Sequence, residues 1–199
     1  MAGRQGRRAQ RRPQRNPARR ILVVTEGIRT EPQYVERLDG YLRSRSATAI
    51  VKSVGVGEDP LRVVEKSIEL RDAAAGTEKR YDVCVCLVDV DEHTTLERAS
   101  RLAEHESILL LVSNLKFEAW LRWHAEDKRS ALSSSQLDQR MATLKLTTGK
   151  RLPLRFPIDG VDDACRVARA ADPAMQAGRV GPDPSSAMPI LVDLMRGES

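Results

Sequence analysis

Three carboxylates in this chain stand where chemistry could be done. The stretch "CVCLVDVDEH", Cys84 to His93, follows an almost wholly apolar run with Asp89 and Asp91, and "RILVVTEG", Arg20 to Gly27, closes another with Glu26. Residues two apart on a strand point to the same face, so Asp89 and Asp91 can converge on one point. In a parallel α/β sheet, ligands bind beyond the carboxyl ends of the strands, where the strand order reverses. If the two runs are neighbouring strands, as in the common 2-1-3-4 order, Glu26 joins the pair. Three carboxylates meeting at the end of a buried sheet repel one another by several kcal/mol unless they are neutralised, and a bound cation is the natural resolution. All-oxygen donors favour Mg²⁺ or Mn²⁺ over zinc, and Mg²⁺ shares its coordination with phosphate oxygens, which suits phosphodiester chemistry. Gly27 would let the chain turn tightly there and expose backbone N–H groups. The plainer use of the same acids is as caps for the helices that follow.

The elements that must position these residues can be read from the apolar pattern. Four short apolar runs, 20–27, 49–57, 81–91 and 107–114, alternate with "TEPQYVERLDGYLRSR", "DPLRVVEKSIELRDAAAG" and "TTLERASRLAEHE", whose apolar residues recur at spacings of three and four. Strict alternation argues for βαβ units and a parallel sheet covered by helices on both faces. Thr30 is expected to cap the first helix in a capping-box arrangement with Gln33, and Asp59 before Pro60 to open the second, with Gly76 ending it. "LKFEAWLRWHAED" reads as a fourth helix with Phe117, Trp120, Leu121 and His124 on one face, His124 being a packed core histidine. Beyond residue 128 the sheet pattern ends and three helical segments follow. The expected architecture is α/β: a mostly parallel, Rossmann-like sheet of about four strands flanked by helices over 21–127, with a helical extension, 128–199, packed on the same domain. A chain of 199 residues is long enough for one sizeable core and short for two.

The formal charge of +5 belongs to one end. Residues 1–20 hold eight of the 33 Lys and Arg and none of the 28 Asp and Glu, so the remaining 25 basic residues leave the rest of the chain at −3. With almost no apolar surface, this segment is expected to be a disordered arm, with Arg7, Arg8, Arg11, Arg12, Arg15, Arg19 and Arg20 drawn to nucleic-acid phosphates or serving as a solubilising tail. The apolar run "ILVV" is too short for a signal-peptide core, and "ILLLV" too short to span a bilayer, so a cytoplasmic protein without a membrane partner is expected. Cys84, Cys86 and Cys165 have no zinc-ligand spacing and read as reduced packing residues.

With both acidic motifs in place, the chain resembles Toprim-type domains, which carry a glutamate in an acidic-Gly turn after the first strand and D-x-D after the third. More closely, it resembles the RloB-like family of Toprim-related proteins, found at restriction-modification and phage-defence loci. Four blocks carry the likeness in order: "ILVVTEGIRTEPQYVERL", "VDVDEH", "SNLKFEAWLRWH" and "GPDPSSAMPILVDL". Leu115 stands where the third block usually has proline, and Asp183 and Ser186 where the fourth usually has Asn and Thr. The resemblance implies that Glu26, Asp89 and Asp91 bind Mg²⁺ and that Glu26 is a general acid or base. It also places Asn114 and Glu118 beside the cluster, Glu118 as a further metal or water-positioning ligand or as an acid favoured by the helix dipole. His93 could donate a proton or hold a phosphate, and Lys150 after Gly149 could contact one; each could equally be solvated. The function implied is a Mg²⁺-dependent nuclease acting on DNA or RNA, tRNA included, in anti-phage defence such as abortive infection. The alternative is a non-catalytic nucleic-acid-binding or sensor subunit, and partners could include a defence protein or further copies of the chain. Nucleotidyl transfer would need a nucleotide-selective pocket that the sequence does not suggest.

Overall fold

The runs read as strands lie side by side in one sheet. A computed structural model of the protein describes residues 18–90, 95–149 and 151–198. In chain order these form β1 (Arg20–Thr25), α1 (Thr30–Arg43), β2 (Ile50–Gly55), α2 (Pro60–Ala74), β3 (Val83–Asp89), α3 (Leu96–His105), β4 (Leu109–Asn114), α4 (Glu118–Arg122), α5 (Ser134–Thr143), a 3₁₀ turn (Ile158–Gly160), α6 (Val161–Ala171), β5 (Ser185–Ser186) and α7 (Met188–Arg196). The sheet order is β2-β1-β3-β4-β5. The first four strands are parallel, with Thr25 beside Leu87 and Asp89 beside Ser113. The α/β class and the 2-1-3-4 order are as expected from the sequence.

The central strands read as unbroken apolar runs because both of their faces are covered. Ile21, Val23, Val85, Leu87 and Leu111 face one buried cluster, shared with α1, α4, α5, α6 and α7. Their neighbours Leu22, Val24, Cys84, Cys86, Val88, Leu110 and Val112 face the other, shared with α2 and α3. Residues beyond 128 thus contribute Leu137, Met141, Ala164, Val167 and Leu191 to the same cluster as α1. The cysteines are buried and unpaired, and burial pushes the Cys86 and Cys165 thiols up to about 12, which keeps them unreactive. Among the described residues no helix is long and apolar enough to cross a membrane.

Three local expectations are corrected. The sheet has a fifth strand: β5 pairs antiparallel with β4, Ser113 opposite Ser186 and Asn114 opposite Ser185. The two serine hydroxyls share a buried hydrogen bond of 2.9 Å, and the Gly178 and Ala187 N–H groups donate to the Leu110 and Val112 carbonyls at 2.7 and 3.1 Å. Thr30 makes no side-chain cap; Arg29 takes the cap position of α1, and Gln33 Oε1 accepts the Leu152 N–H at 3.1 Å instead. The fourth helix is five residues long rather than thirteen: past Arg122 the chain tightens into turns in which the Trp123, His124 and Ala125 N–H groups donate to the Trp120, Leu121 and Arg122 carbonyls at 3.0 to 3.2 Å. Asp59 caps α2 as expected, accepting the Leu61 N–H and the Thr95 hydroxyl, each at 2.9 Å. Gly76 follows that helix in the left-handed conformation, with φ of +74°.

Tyr34 ties α1 to α4. Its ring meets Phe117, Trp120, His124 and Phe156 edge-on, with centroids 5.4 to 6.1 Å apart. The His124 Nδ1–H faces the Trp120 carbonyl at 3.3 Å, which leaves Nε2 to accept the Tyr34 hydroxyl at 3.1 Å. Burial pushes His124 down to about 4, so the ring is the neutral core histidine its place on the apolar face suggested.

Candidate functional site

Glu26 is held between two strands. Its N–H donates to the Leu87 carbonyl at 3.0 Å, extending the β1–β3 ladder, and its carbonyl accepts the Gly57 N–H at 2.7 Å from the far end of β2. Its carboxylate accepts the Asp89 N–H at 3.2 Å. The carboxyl ends of β1 and β3 therefore bring Glu26 and Asp89 together across neighbouring strands.

The turn after β1 adds a carboxylate. The Gly27 N–H donates to Glu31 Oε1 at 3.0 Å, folding the first turn of α1 back over the strand end. A Cβ on Gly27 would fall inside the Glu31 carboxylate, and one on Gly55 would lie 2.6 Å from the Gly27 carbonyl oxygen. Gly55, which meets backbone, requires glycine for close approach, whereas a Cβ on Gly27 would turn the Glu31 carboxylate aside. Glu26, Gly27, Glu31, Gly57, Glu58, Asp59 and Asp89 line an open cleft of about 330 Å³.

Burial raises the Asp89 carboxyl well above the usual range, and Glu31, Glu118 and Glu26 push it the same way, against a hydrogen bond from the Phe117 backbone. Burial also raises Glu31, with Glu118 and Glu26 adding to it. Four carboxylates, Glu26, Glu31, Asp89 and Glu118, thus act on one another at a single place. Groups pushed this far by burial and like charge mark a site that favours positive charge.

This donor set suits a hard divalent cation in its chemistry. Three of the acids are turned onto backbone N–H groups: Glu26 onto Asp89, Glu31 onto Gly27 and Asp89 onto Phe117. As the side chains stand, no three His, Cys, Asp or Glu among the described residues are grouped closely enough to hold a metal ion.

The residues singled out from sequence divide accordingly. Glu26, Gly27, Asp89 and Glu118 are brought together. The Asn114 amide instead donates to the Gly181 carbonyl at 3.0 Å, fastening the C-terminal block to the end of β4. Asp91, His93, Lys150, Arg7, Arg8, Arg11, Arg12 and Arg15 lie outside the described residues. Arg19 and Arg20 enter β1 at its amino end, where the Arg19 carbonyl accepts the Ile50 N–H and the Arg20 N–H donates to Asp82 at 2.8 Å. Six residues of strand, roughly 20 Å, separate Arg20 from Glu26. Glu31 was missed in the sequence; an acid five residues after Glu26, in the turn after E-G, was the available signal.

A larger cavity of about 490 Å³ lies between α3, the start of β4 and residues 176–179, with Glu104 and Arg179 as its charged groups. It gathers no comparable cluster, so the chemistry points to the smaller acidic cleft. No curated protein and no solved structure matches the chain. The family model for RloB-like protein matches residues 21–195, spanning all five strands and both sides of the acidic cleft. The chain belongs to the RloB-like protein family.

Proposed function

We propose that this chain is a Mg²⁺- or Mn²⁺-dependent nuclease that cleaves phosphodiester bonds in DNA or RNA, tRNA included, in defence against phage. One observation carries the reading: Glu26, Glu31, Asp89 and Glu118 crowd the carboxyl end of a parallel sheet, and two of them are raised by burial and by one another. Glu31 and Asp89, with Asp91 from the next two residues of the chain, would hold the ion. When bound, a divalent cation polarises a phosphate and lowers the pKa of a water. Glu26, fixed to both β2 and β3 through its backbone, is the acid or base that moves a proton at the scissile phosphate. Gly27 and Phe117 aim the Glu31 and Asp89 carboxylates through their N–H groups.

The test is incubation of the full chain with plasmid, single-stranded DNA and total tRNA, in Mg²⁺ or EDTA, beside Asp89→Ala and Glu26→Ala. Each variant is expected to lose on the order of 10²-fold or more in cleavage rate. Cleavage that persists in EDTA, or in both variants, overturns the reading. The orientation of the carboxylates onto backbone N–H groups favours a second reading, a non-catalytic nucleic-acid-binding or sensor subunit. Tight binding with no cleavage of any substrate, in either metal, selects it.

A further inference from the structure

Between α4, the loop after it and α5 lies a second cleft of about 340 Å³. Its wall carries Arg122, Lys128 and Arg140, with Ser130, Gln139 and Thr143 as neutral polar groups, and no carboxylate among its described residues. The acid that pairs with these cations stands behind them. Glu126 Oε1 accepts from Arg122 Nε and from Arg140 Nε, the latter at 3.1 Å; Oε2 accepts from Arg140 Nη2, and Lys128 Nζ is 3.8 Å away. Hydrogen bonds from Arg140 and Arg122 pull Glu126 down to about 2, so it carries a full charge at neutral pH.

The charges do not balance. One carboxylate faces three cations, leaving two positive charges at a cleft whose deepest guanidinium, Arg122, is only 4% exposed. The neighbouring acids are engaged elsewhere, Asp127 with Arg166 at 2.8 Å and Asp138 with Lys116 at 2.5 Å. Glu126 takes Arg122 Nε with Arg140 Nε and Nη2, and Arg122 Nη1 donates to the Ser130 carbonyl at 3.3 Å, so the uncompensated charge lies on the exposed Lys128 ammonium and the partly exposed Arg140, beside neutral donors that suit phosphate oxygens.

Position supplies the rest. Arg122 follows Glu118 by four residues in α4, about 6 Å of helix rise. Lys116 joins that segment to α5 through Asp138 and Ser134. One short helix therefore carries an acid of the crowded cluster at its start and a cation of the second cleft a turn later. The geometry points to this cleft as a phosphate-binding site that holds a backbone phosphate of a nucleic-acid strand while a neighbouring linkage enters the acidic cleft. In naming a strand as the source of the phosphate, the inference rests on the proposed function.

Binding of a labelled single-stranded oligonucleotide to the full chain, measured by fluorescence anisotropy in EDTA over a range of salt, tests it without cleavage. Lys128→Gln and Gln139→Glu alter exposed side chains, and thermal melts matching the wild type are expected for both. Each is expected to weaken binding about 3- to 10-fold, with Lys128→Gln lowering the salt slope by about 0.7, while Gln139→Lys tightens binding and steepens the slope. Wild-type affinity and slope in both weakening variants overturn the inference. Inorganic phosphate titrated against the same proteins separates the sources: loss of phosphate binding with an unchanged oligonucleotide affinity overturns the strand as the ligand. In the Asp89→Ala background, inactive under the proposed function, Lys128→Gln is still expected to weaken binding about 3- to 10-fold, so absence of nuclease activity and absence of this site give different results.

Discussion

The Glu31 carboxylate accepts the Gly27 N–H at 3.0 Å, so the acid that opens α1 is aimed by the turn that ends β1. The contact leaves no room for a Cβ at residue 27. Gly27→Ala must turn the Glu31 carboxylate out of this contact, at an expected cost of about 1 kcal/mol or less in stability and, under the proposed function, on the order of 10²-fold in cleavage rate. Gly40→Ala in the same helix is the control. A Cβ there meets nothing, so the substitution should stabilise by about 0.5–1 kcal/mol without touching activity. Equal effects of the two, in melts and cleavage assays, would separate Gly27 from the site.

Asp89 should make the metal-free protein less stable as pH rises. Its folded carboxyl lies well above the ordinary range, so the folded state keeps a proton that the unfolded chain has lost. The penalty is absent below the unfolded pKa of about 4 and grows as pH rises towards the folded value. In EDTA, Asp89→Asn should therefore melt higher than the wild type at pH 8, with the gain shrinking as pH falls towards 4. A melting difference that stays constant with pH would count against carboxylate crowding. Added Mg²⁺ should raise the melting temperature of the wild type and leave that of Asp89→Asn nearly unchanged.

Glu126 should matter to the fold through Arg122. Glu126→Gln leaves the buried Arg122 guanidinium without its counter-charge, at an expected cost of about 3–5 kcal/mol. The wild-type contribution is present above the ordinary carboxylate pKa and is lost as pH falls towards about 2, since Glu126 is held low in the folded state. Chemical denaturation of the two proteins at pH 7 measures the difference. A loss within about 0.5 kcal/mol would mean that solvent already screens the pair.

His124 should stay neutral through the physiological range. Burial places its titration at about 4, and nitrogen chemical shifts across pH 3–8 report the midpoint directly. Because the folded value is depressed, the stability it contributes is present above the ordinary histidine pKa and is lost as pH falls towards about 4. A midpoint near 6.5 would mean that the Tyr34 cluster opens to water.

The fold was legible where one physical demand ruled a segment. Ile21 to Val24 and Cys84 to Val88 are buried on both faces, and an unbroken apolar run is the plain sequence mark of that burial. The neighbouring placement of Glu26 and Asp89 then followed from strand order. Legibility failed where tertiary partners competed with local ones. Gln33 fits a capping box, yet the Leu152 N–H takes its side chain. Ser185 and Ser186 are too few to show a period, and only β4 makes them a strand. Glu31 sits where any helix dipole favours an acid, so nothing local separates a site residue from an ordinary first-turn carboxylate.

β5 covers the edge of the sheet at β4. Without Gly178, Ser185, Ser186 and Ala187, β4 would present "LLLVSN" as an open margin of backbone donors and acceptors, ready to template a second chain. The C-terminal block occupies that margin at Leu110, Val112, Ser113 and Asn114, on the strand whose end leads into the acidic cleft. A chain shortened before Gly178 would lose this cover, and its β4 edges would be free to zip together as aggregates.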